Sequence, residues 1–132
     1  MRTIDRLQTQ EFTKDLASKW ASVFTGISVI GNRRTILHKD QNGDHAWYDL
    51  VASLGNYKQA RLGFPELGLE LQYNPGTAAG FCGNVLMHGV GDWGEGDRVC
   101  YALFMRKAVL GRFGNAEVGW MTRDVYSSGA QL

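Results

Sequence analysis

The stretch DRVCYALFMRKAV, residues 97–109, is the longest candidate strand of the chain and the segment that decides its fold. Alternate side chains of a strand point to opposite sides. One side of residues 98–106 carries Arg98, Cys100, Ala102, Phe104 and Arg106, and the other carries Val99, Tyr101, Leu103 and Met105. The apolar side predicts core packing. The other side, with an arginine at each end and small residues between, is typical of a pocket lining.

The segments on either side of this strand are short and rich in β-branched, aromatic and aliphatic residues. Glycine, asparagine and proline separate them, and 17 glycines in 132 residues indicate many turns. These segments are residues 25–32, 46–55, 60–64, 69–74, 76–83 and 84–90. Because no helical pattern lies between them, the sequence predicts one mainly β domain, a sandwich or jelly roll.

The two ends of the chain differ from this β-rich middle. Near the N-terminus an apolar residue recurs every four positions, at Phe12, Leu16 and Trp20. This spacing predicts a helical segment within residues 1–24 that packs against the larger sheet. The β core is predicted over residues 25–126, and residues 127–132 are predicted to form a flexible tail.

Composition restricts the classes of function. Lysine and arginine number 14 and aspartate and glutamate 13, so nucleic-acid binding would depend on a local basic patch. No apolar run has the length of a membrane span, and the N-terminus lacks a signal-peptide core. Two cysteines, Cys82 and Cys100, are too few for a disulfide framework and predict small buried side chains in a reducing, intracellular compartment. The alternative is a single disulfide bridge between them.

A candidate metal site begins in TILHKDQNGD, residues 35–44. His38 and Asp40 are two positions apart, so on a strand both side chains reach the same side and can bind one ion. The alternative interpretation is a polar strand end that runs into the Asn-Gly turn.

His88 and Arg98 favour the metal interpretation. His88 follows His38 by fifty residues, and Arg98 follows His88 by ten. Two histidines and one carboxylate form a facial triad that leaves coordination positions open on Fe(II). The planar fork of an arginine binds the carboxylate of an acid in a bidentate manner. The alternatives are a structural histidine and a surface arginine that pairs with Asp97.

Three stretches resemble the TET/JBP family of Fe(II)- and 2-oxoglutarate-dependent nucleobase dioxygenases, as represented by fungal and protist TET-like domains. They are NRRTILHKD, PELGLELQYNPGTAAGFCGNVLMHGV and GDRVCYALFMRKAV, and the resemblance extends over about residues 26–121. It implies a double-stranded β-helix, jelly-roll or cupin-like, with an N-terminal α-helix. It also implies Fe(II) as the metal, with 2-oxoglutarate and dioxygen as co-substrates.

The same resemblance assigns the metal and co-substrate residues. The Fe(II) ligands, and with them the catalytic centre, would be His38, Asp40 and His88. Arg98 would bind the distal carboxylate of 2-oxoglutarate, and Arg33 matches a second arginine near the co-substrate.

The substrate residues follow from the family in the same way. Phe104 falls where an aromatic ring stacks on the flipped base, and Asp44 lies in a loop that contacts the base. Arg106 stands where family members often have a histidine.

The implied activity is oxidation of a methyl group on a nucleobase in DNA, with 5-methylcytosine expected and thymine and N6-methyladenine left open. DNA demethylation and a nuclear location would follow from that substrate.

The family usually has a longer N-terminal portion, so a homodimer or another partner is expected to complete the pocket if the short chain is not active alone. One alternative is a catalytically incomplete β-helix domain that binds nucleic acid or protein. Another is a structural or sugar-binding jelly roll.

Overall fold

The computed structural model describes residues 19–112 of the 132-residue chain. Within this range the chain forms eight β-strands, a short 3₁₀ helix and one α-helix. The strands are β1 (Gly26–Gly31), β2 (Thr35–His38), β3 (Asp49–Gly55), β4 (Arg61–Phe64), β5 (Leu69–Gln72), β6 (Ala78–Phe81), β7 (His88–Val90) and β8 (Arg98–Phe104). The 3₁₀ helix is Pro65–Leu67, and helix α1 is Lys107–Arg112.

The eight strands form two four-stranded antiparallel sheets. Their strand orders are β1-β8-β3-β6 for the larger sheet and β2-β7-β4-β5 for the smaller sheet. Strands β4 and β5 pair as consecutive strands of the smaller sheet, whereas the other neighbours are distant in sequence and the rest of the chain alternates between the sheets. This is the mainly β, double-stranded β-helix architecture that the sequence predicts, so the predicted fold class is confirmed.

The predicted N-terminal helix falls mostly outside the described residues, as does the end of the chain. Lys19 is helical, whereas residues 20–25 are not, and the Trp20 indole Nε1 donates a hydrogen bond to the Phe24 carbonyl at 2.8 Å. Residues 1–18, and residues 113–132 with the predicted tail, are not described. The predicted core boundary at residue 25 lies one residue before β1.

An apolar core fills one part of the space between the sheets. Its buried side chains are Tyr57, Ala60, Leu62, Phe64, Tyr73, Phe81 and Val90. The Tyr57 hydroxyl donates to the Tyr73 carbonyl at 2.6 Å, which satisfies a polar group that would be costly to bury unpaired. A cavity lies beside this core, and four core residues, Leu62, Tyr73, Phe81 and Val90, contribute to its lining.

Two details of β8 differ from the sequence prediction. The strand ends at Phe104 and not at Arg106, because the Arg106 amide donates to the Thr25 hydroxyl and the Arg106 carbonyl accepts from the Val109 and Leu110 amides of α1. The side that was predicted to pack in the core is only partly covered, and Tyr101 is 36% exposed. Within residues 19–112 no second sheet covers this side, although Leu103 and Met105 contribute to the cavity lining.

Candidate active site

A cavity of about 250 Å³ lies between the two sheets and is lined by the inward side chains of both. The residues predicted for the site that line it are Arg33, His38, Asp40, His88, Arg98, Phe104 and Arg106. Both arginine-bearing ends of the β8 inner side contribute to the wall, as the pocket interpretation of that strand predicts. Asp44 is the predicted site residue that does not line the cavity.

A cluster of three potential metal ligands lies on the smaller sheet. One ligand atom of each of His38, Asp40 and His88 lies within 4.8 Å of the others. The antiparallel register of β2 and β7 places His38 opposite His88, with ring centroids 4.4 Å apart. A register shift between Thr35 and His38 brings the strand end to this position. The sequence pattern and the fold therefore converge on one three-residue cluster.

The two histidine rings are held so that the same nitrogen of each remains available. His38 Nδ1 donates to the Ile36 carbonyl at 2.8 Å, and His88 Nδ1 donates to the Leu86 carbonyl at 2.9 Å. A carbonyl can only accept, so these bonds place the proton on Nδ1 and leave the Nε2 lone pair free for a metal. Burial, with a smaller contribution from His38, lowers the pKa of His88 and favours the neutral, ligating form.

The backbone of the loop after β2 is fixed by the turn before β7. The Asp40 amide donates to the Gly83 carbonyl at 2.8 Å, and the Asn84 side-chain amide donates to the Asp40 carbonyl at 2.9 Å. These bonds connect residues more than forty positions apart. They hold the carboxylate ligand beside the histidines although it lies beyond the end of the strand.

Arg98 is a buried cation in the wall of the cavity. It is 2% exposed, its Nε donates to Ser53 Oγ at 3.1 Å, and its guanidinium lies 5.3 Å and 5.7 Å from the ring centroids of Tyr73 and Trp93. Among residues 19–112, no carboxylate forms an ion pair with it. A buried charge is costly unless it is paired, so this guanidinium is suited to an anion that enters the cavity.

Ser53 is held in turn by the apolar core. Its hydroxyl lies 2.7 Å from the Tyr57 hydroxyl, which donates to the Tyr73 carbonyl and therefore accepts from Ser53. The order of donors runs from Arg98 through Ser53 and Tyr57 to the backbone. This chain fixes the orientation of the guanidinium plane, and the sequence analysis did not identify it.

The two adjacent arginines of the β1–β2 loop have different surroundings. Arg33 lines the cavity, whereas Arg34 is exposed and forms an ion pair with Asp92. The structure thus places the predicted co-substrate arginine on the cavity side. In the described part of the chain no acidic side chain pairs with Arg33.

Phe104 and Arg106 form one corner of the cavity. The Arg106 guanidinium lies 4.7 Å from the centroid of the Phe104 ring, a cation–π contact. Gly26 lies opposite Phe104 in β1, and a Cβ atom there would come within 2.5 Å of the Phe104 ring. The ring therefore occupies space that only a glycine on the neighbouring strand leaves open.

Asp44 has partners outside the cavity. Its carboxylate accepts from Lys107 Nζ and contacts His45 Nδ1, both at 3.1 Å. The hydrogen bond from the Ala46 amide, followed by that from Lys107, holds the pKa of Asp44 below its usual value. This carboxylate joins the loop after β2 to the start of α1, and its predicted contact with a base stays a prediction.

Asp49 is a cavity residue that the sequence analysis missed. It is 8% exposed, and one oxygen, Oδ2, accepts from the Gly83 amide at 3.1 Å. A Cβ on Gly83 would lie 2.5 Å from an Asp40 oxygen and 2.6 Å from an Asp49 oxygen, so the two carboxylates converge there. Burial, and then the charge of Asp40, raise the pKa of Asp49 to about 6. The available signal was that Asp49 and Ser53, both polar, lie on the same side of β3. The same pattern also occurs in strands whose polar side faces solvent.

These residues suit a divalent first-row metal and a small dicarboxylate. Two imidazole nitrogens and one carboxylate oxygen are the donor set of non-haem Fe(II) oxygenases. The unpaired, buried guanidinium of Arg98 supplies a site for a carboxylate in the same cavity. Among residues 19–112, no helix is long and apolar enough to cross a membrane.

Comparison with known proteins gives one family. The model of the Tet_JBP family, described as the oxygenase domain of the 2OGFeDO superfamily, matches residues 5–107. The match includes the three clustered ligands, the three cavity arginines and Phe104. A search of curated proteins found no match to the chain.

Proposed function

Because the chain belongs to the Tet_JBP family of oxygenase domains in the 2OGFeDO superfamily, we propose that it oxidises a methyl group on a nucleobase in DNA, with 5-methylcytosine the expected base. The family is one of Fe(II)- and 2-oxoglutarate-dependent dioxygenases, which makes 2-oxoglutarate and dioxygen its co-substrates. Turnover by this chain and the identity of the base belong to the proposal.

The observation that carries the proposal is the pairing of two features in one cavity. A three-residue ligand cluster lies on the smaller sheet, and the buried guanidinium of Arg98 extends from the larger sheet. A molecule with a metal-chelating end and a distal carboxylate satisfies both features. The hydrogen bond from Arg98 to Ser53 supports this assignment, since it fixes a fork for a planar acid.

Fe(II) and 2-oxoglutarate, when bound, supply the oxidative chemistry, in which 2-oxoglutarate loses CO₂ to give succinate and one oxygen atom reaches the substrate methyl group. The chain contributes orientation and exclusion of water. Its Nδ1-anchored histidines leave both Nε2 atoms available to a metal, and apolar side chains such as Val51 and Leu62 line the walls of the cavity.

A base within duplex DNA has to leave the stack before it can reach this cavity. Phe104 lines the cavity with an aromatic ring on which such a base would stack, and Arg106 adds a cation beside it.

A nuclear location and a role in DNA demethylation follow from this proposed substrate. A second copy or another partner that completes the pocket is also part of the proposal, and sedimentation with and without DNA would test it.

The first test is assembly of the site in anaerobic protein titrated with Fe(II) and 2-oxoglutarate. We expect a visible metal-to-ligand charge-transfer band that is lost in His38→Ala and weakened in Arg98→Ala. His45→Ala is the matched control, because this third histidine is exposed and lies outside the cluster. Aerobic reaction with duplex DNA containing 5-methylcytosine should then give succinate and 5-hydroxymethylcytosine.

The outcomes separate the alternatives. A band without succinate or hydroxymethyl product in the presence of DNA would favour the binding module over the enzyme. A folded protein that binds neither Fe(II) nor 2-oxoglutarate, and in which His38→Ala changes nothing, would contradict the proposal and favour a structural jelly roll.

A further inference from the structure

We propose that Asp49 selects the base by accepting a hydrogen bond from the exocyclic amino group of 5-methylcytosine. This inference rests on the proposed function and adds a specificity-determining residue to it. The sequence pattern did not identify Asp49, and the metal cluster does not include it.

The first argument is the position of Asp49 in the larger sheet. It pairs with Phe81 on β6, and the register of β3 against β8, Leu50 opposite Leu103, places it beside Phe104. The Phe81 ring in turn contacts the His88 ring, with centroids 4.6 Å apart. Asp49 therefore lies between the proposed stacking ring and the metal-binding cluster.

The second argument is the free acceptor of Asp49. Oδ2 is occupied by the Gly83 amide, whereas no group among residues 19–112 donates to Oδ1. The residue lines the cavity although it is only 8% exposed. A carboxylate oxygen that is open to a cavity and has no protein donor is suited to a donor on the ligand.

The third argument is the chemistry of the base. The methyl group and the amino group of 5-methylcytosine are on adjacent ring atoms, so a methyl group directed at the metal brings the amino group close to the metal ligands. Asp49 is the non-ligand carboxylate that converges with Asp40 at Gly83. Thymine presents a carbonyl oxygen at the same ring position, and two acceptors would face each other without a proton between them.

The test compares wild-type protein with Asp49→Asn on duplexes that differ in one base, 5-methylcytosine or thymine. The asparagine is isosteric, and while its oxygen accepts from the Gly83 amide it presents an NH2 donor to the base, which fits the carbonyl of thymine and opposes the amino group of 5-methylcytosine. We expect the wild type to prefer 5-methylcytosine by roughly 10-fold or more in kcat/KM, and the variant to lose most of that preference. The same change is expected in equilibrium binding of the two duplexes to protein loaded with Mn(II) and 2-oxoglutarate.

Asp92→Asn is the matched control, because this exposed carboxylate lies outside the cavity and should leave the preference unchanged. The Fe(II) and 2-oxoglutarate absorption band of Asp49→Asn should equal that of the wild type, which separates base selection from damage to the site. A preference retained in Asp49→Asn would overturn the inference. A wild type that prefers thymine or N6-methyladenine would overturn it while leaving a nucleobase oxygenase in place. A wild type that forms the band yet oxidises no base would overturn the proposed function and this inference together.

Discussion

Arg98 shows how one side chain can be prepared for a ligand by its neighbours. Its Nε donates a hydrogen bond to Ser53, and the rings of Tyr73 and Trp93 lie near its guanidinium. A lysine carries the same charge but lacks both the planar fork and the second nitrogen that bonds Ser53. The site is therefore specific for arginine and not merely for a cation.

Arg98→Lys should accordingly weaken 2-oxoglutarate binding by roughly 10-fold or more while leaving Mn(II) affinity unchanged. Calorimetric titration of the Mn(II)-loaded protein with 2-oxoglutarate measures the first value. Arg34→Lys is the control, since Arg34 is exposed and paired with Asp92. Equal affinity in Arg98→Lys and wild type would remove Arg98 from the co-substrate site.

Asp49 makes the stability of the metal-free protein depend on pH. Its pKa is about 6 in the folded state against 3.8 for the free side chain, so the folded state binds this proton more tightly. Stability contributed by the protonated group is thus lost as the pH rises from about 4 to about 6. Above that range the buried carboxylate lowers the free energy of unfolding.

Asp49→Asn should therefore stabilise the metal-free protein at pH 8, by an amount on the order of 2–3 kcal/mol that shrinks towards pH 4. Urea unfolding across this range gives the measurement. Asp92→Asn should not stabilise, because the Gly94 amide and Arg34 hold the pKa of Asp92 below its usual value. If the stabilisation did not vary with pH, the loss of unfolding free energy could not be assigned to the negative charge of Asp49.

Sequence reasoning located some of these residues and missed others for a physical reason. His38 and Asp40 are two positions apart, and that spacing alone predicts a shared direction. The partners of Asp49 and Ser53 are contributed by distant positions, Gly83 and Arg98, so only the folded pairing distinguishes these polar groups from solvent-facing ones.

At the scale of elements, the pairing of β2 with β7 brings the two histidines together. Gly89 lies next to His88, and a Cβ there would come within 2.8 Å of the Thr35 carbonyl and 3.1 Å of the Leu37 amide. Both are backbone atoms of β2, which cannot move without shifting His38. The metal site thus depends on a close approach of two strands.

Gly89→Ala should separate β2 from β7 and lower both metal affinity and stability, the latter by about 1–3 kcal/mol. Gly91→Ala is the control, because a Cβ at Gly91 meets no atom within 4 Å. Mn(II) titration and thermal unfolding of both variants give the comparison. Unchanged Mn(II) affinity in Gly89→Ala would mean that β2 tolerates the shift.

Strand β8 marks what alternation can and cannot predict about an element. The alternation correctly assigned Arg98 and Phe104 to one side, since the two-residue period is a property of the backbone. It also identified the pocket side, but it left open how far the apolar side is covered, and within residues 19–112 Tyr101 of that side is 36% exposed. The extra residues at the end of the predicted strand belong to the connection to α1 and to α1 itself.

At the scale of the molecule, the cavity is shared between the sheets. The clustered ligands lie on or next to the smaller sheet, whereas Arg98 extends from the larger sheet. A co-substrate bound at both points would connect the two sheets, and ligand binding to the folded state alone raises its stability.

Mn(II) and 2-oxoglutarate together, each at about 100 times its Kd, should raise the melting temperature by roughly 15–20 °C. In Arg98→Lys, 2-oxoglutarate at the wild-type concentration should add little to the effect of Mn(II) alone. Calorimetric scans of the four combinations test this. A 2-oxoglutarate increment that is the same in wild type and variant would mean that the two sheets are not connected through Arg98.

The convergence of two carboxylates on Gly83 also limits how this chain can vary over evolutionary time. The Gly83 amide donates to Asp49 and the Gly83 carbonyl accepts from the Asp40 amide, and there is no room for a Cβ at position 83 beside the two carboxylates. A substitution there would require the Asp40 carboxylate to shift and a smaller side chain at position 49, and the second change would remove the proposed base-selecting group. Drift at the turn and a change of substrate preference are thereby coupled, so a descendant with a new residue at position 83 is expected to have a new specificity as well.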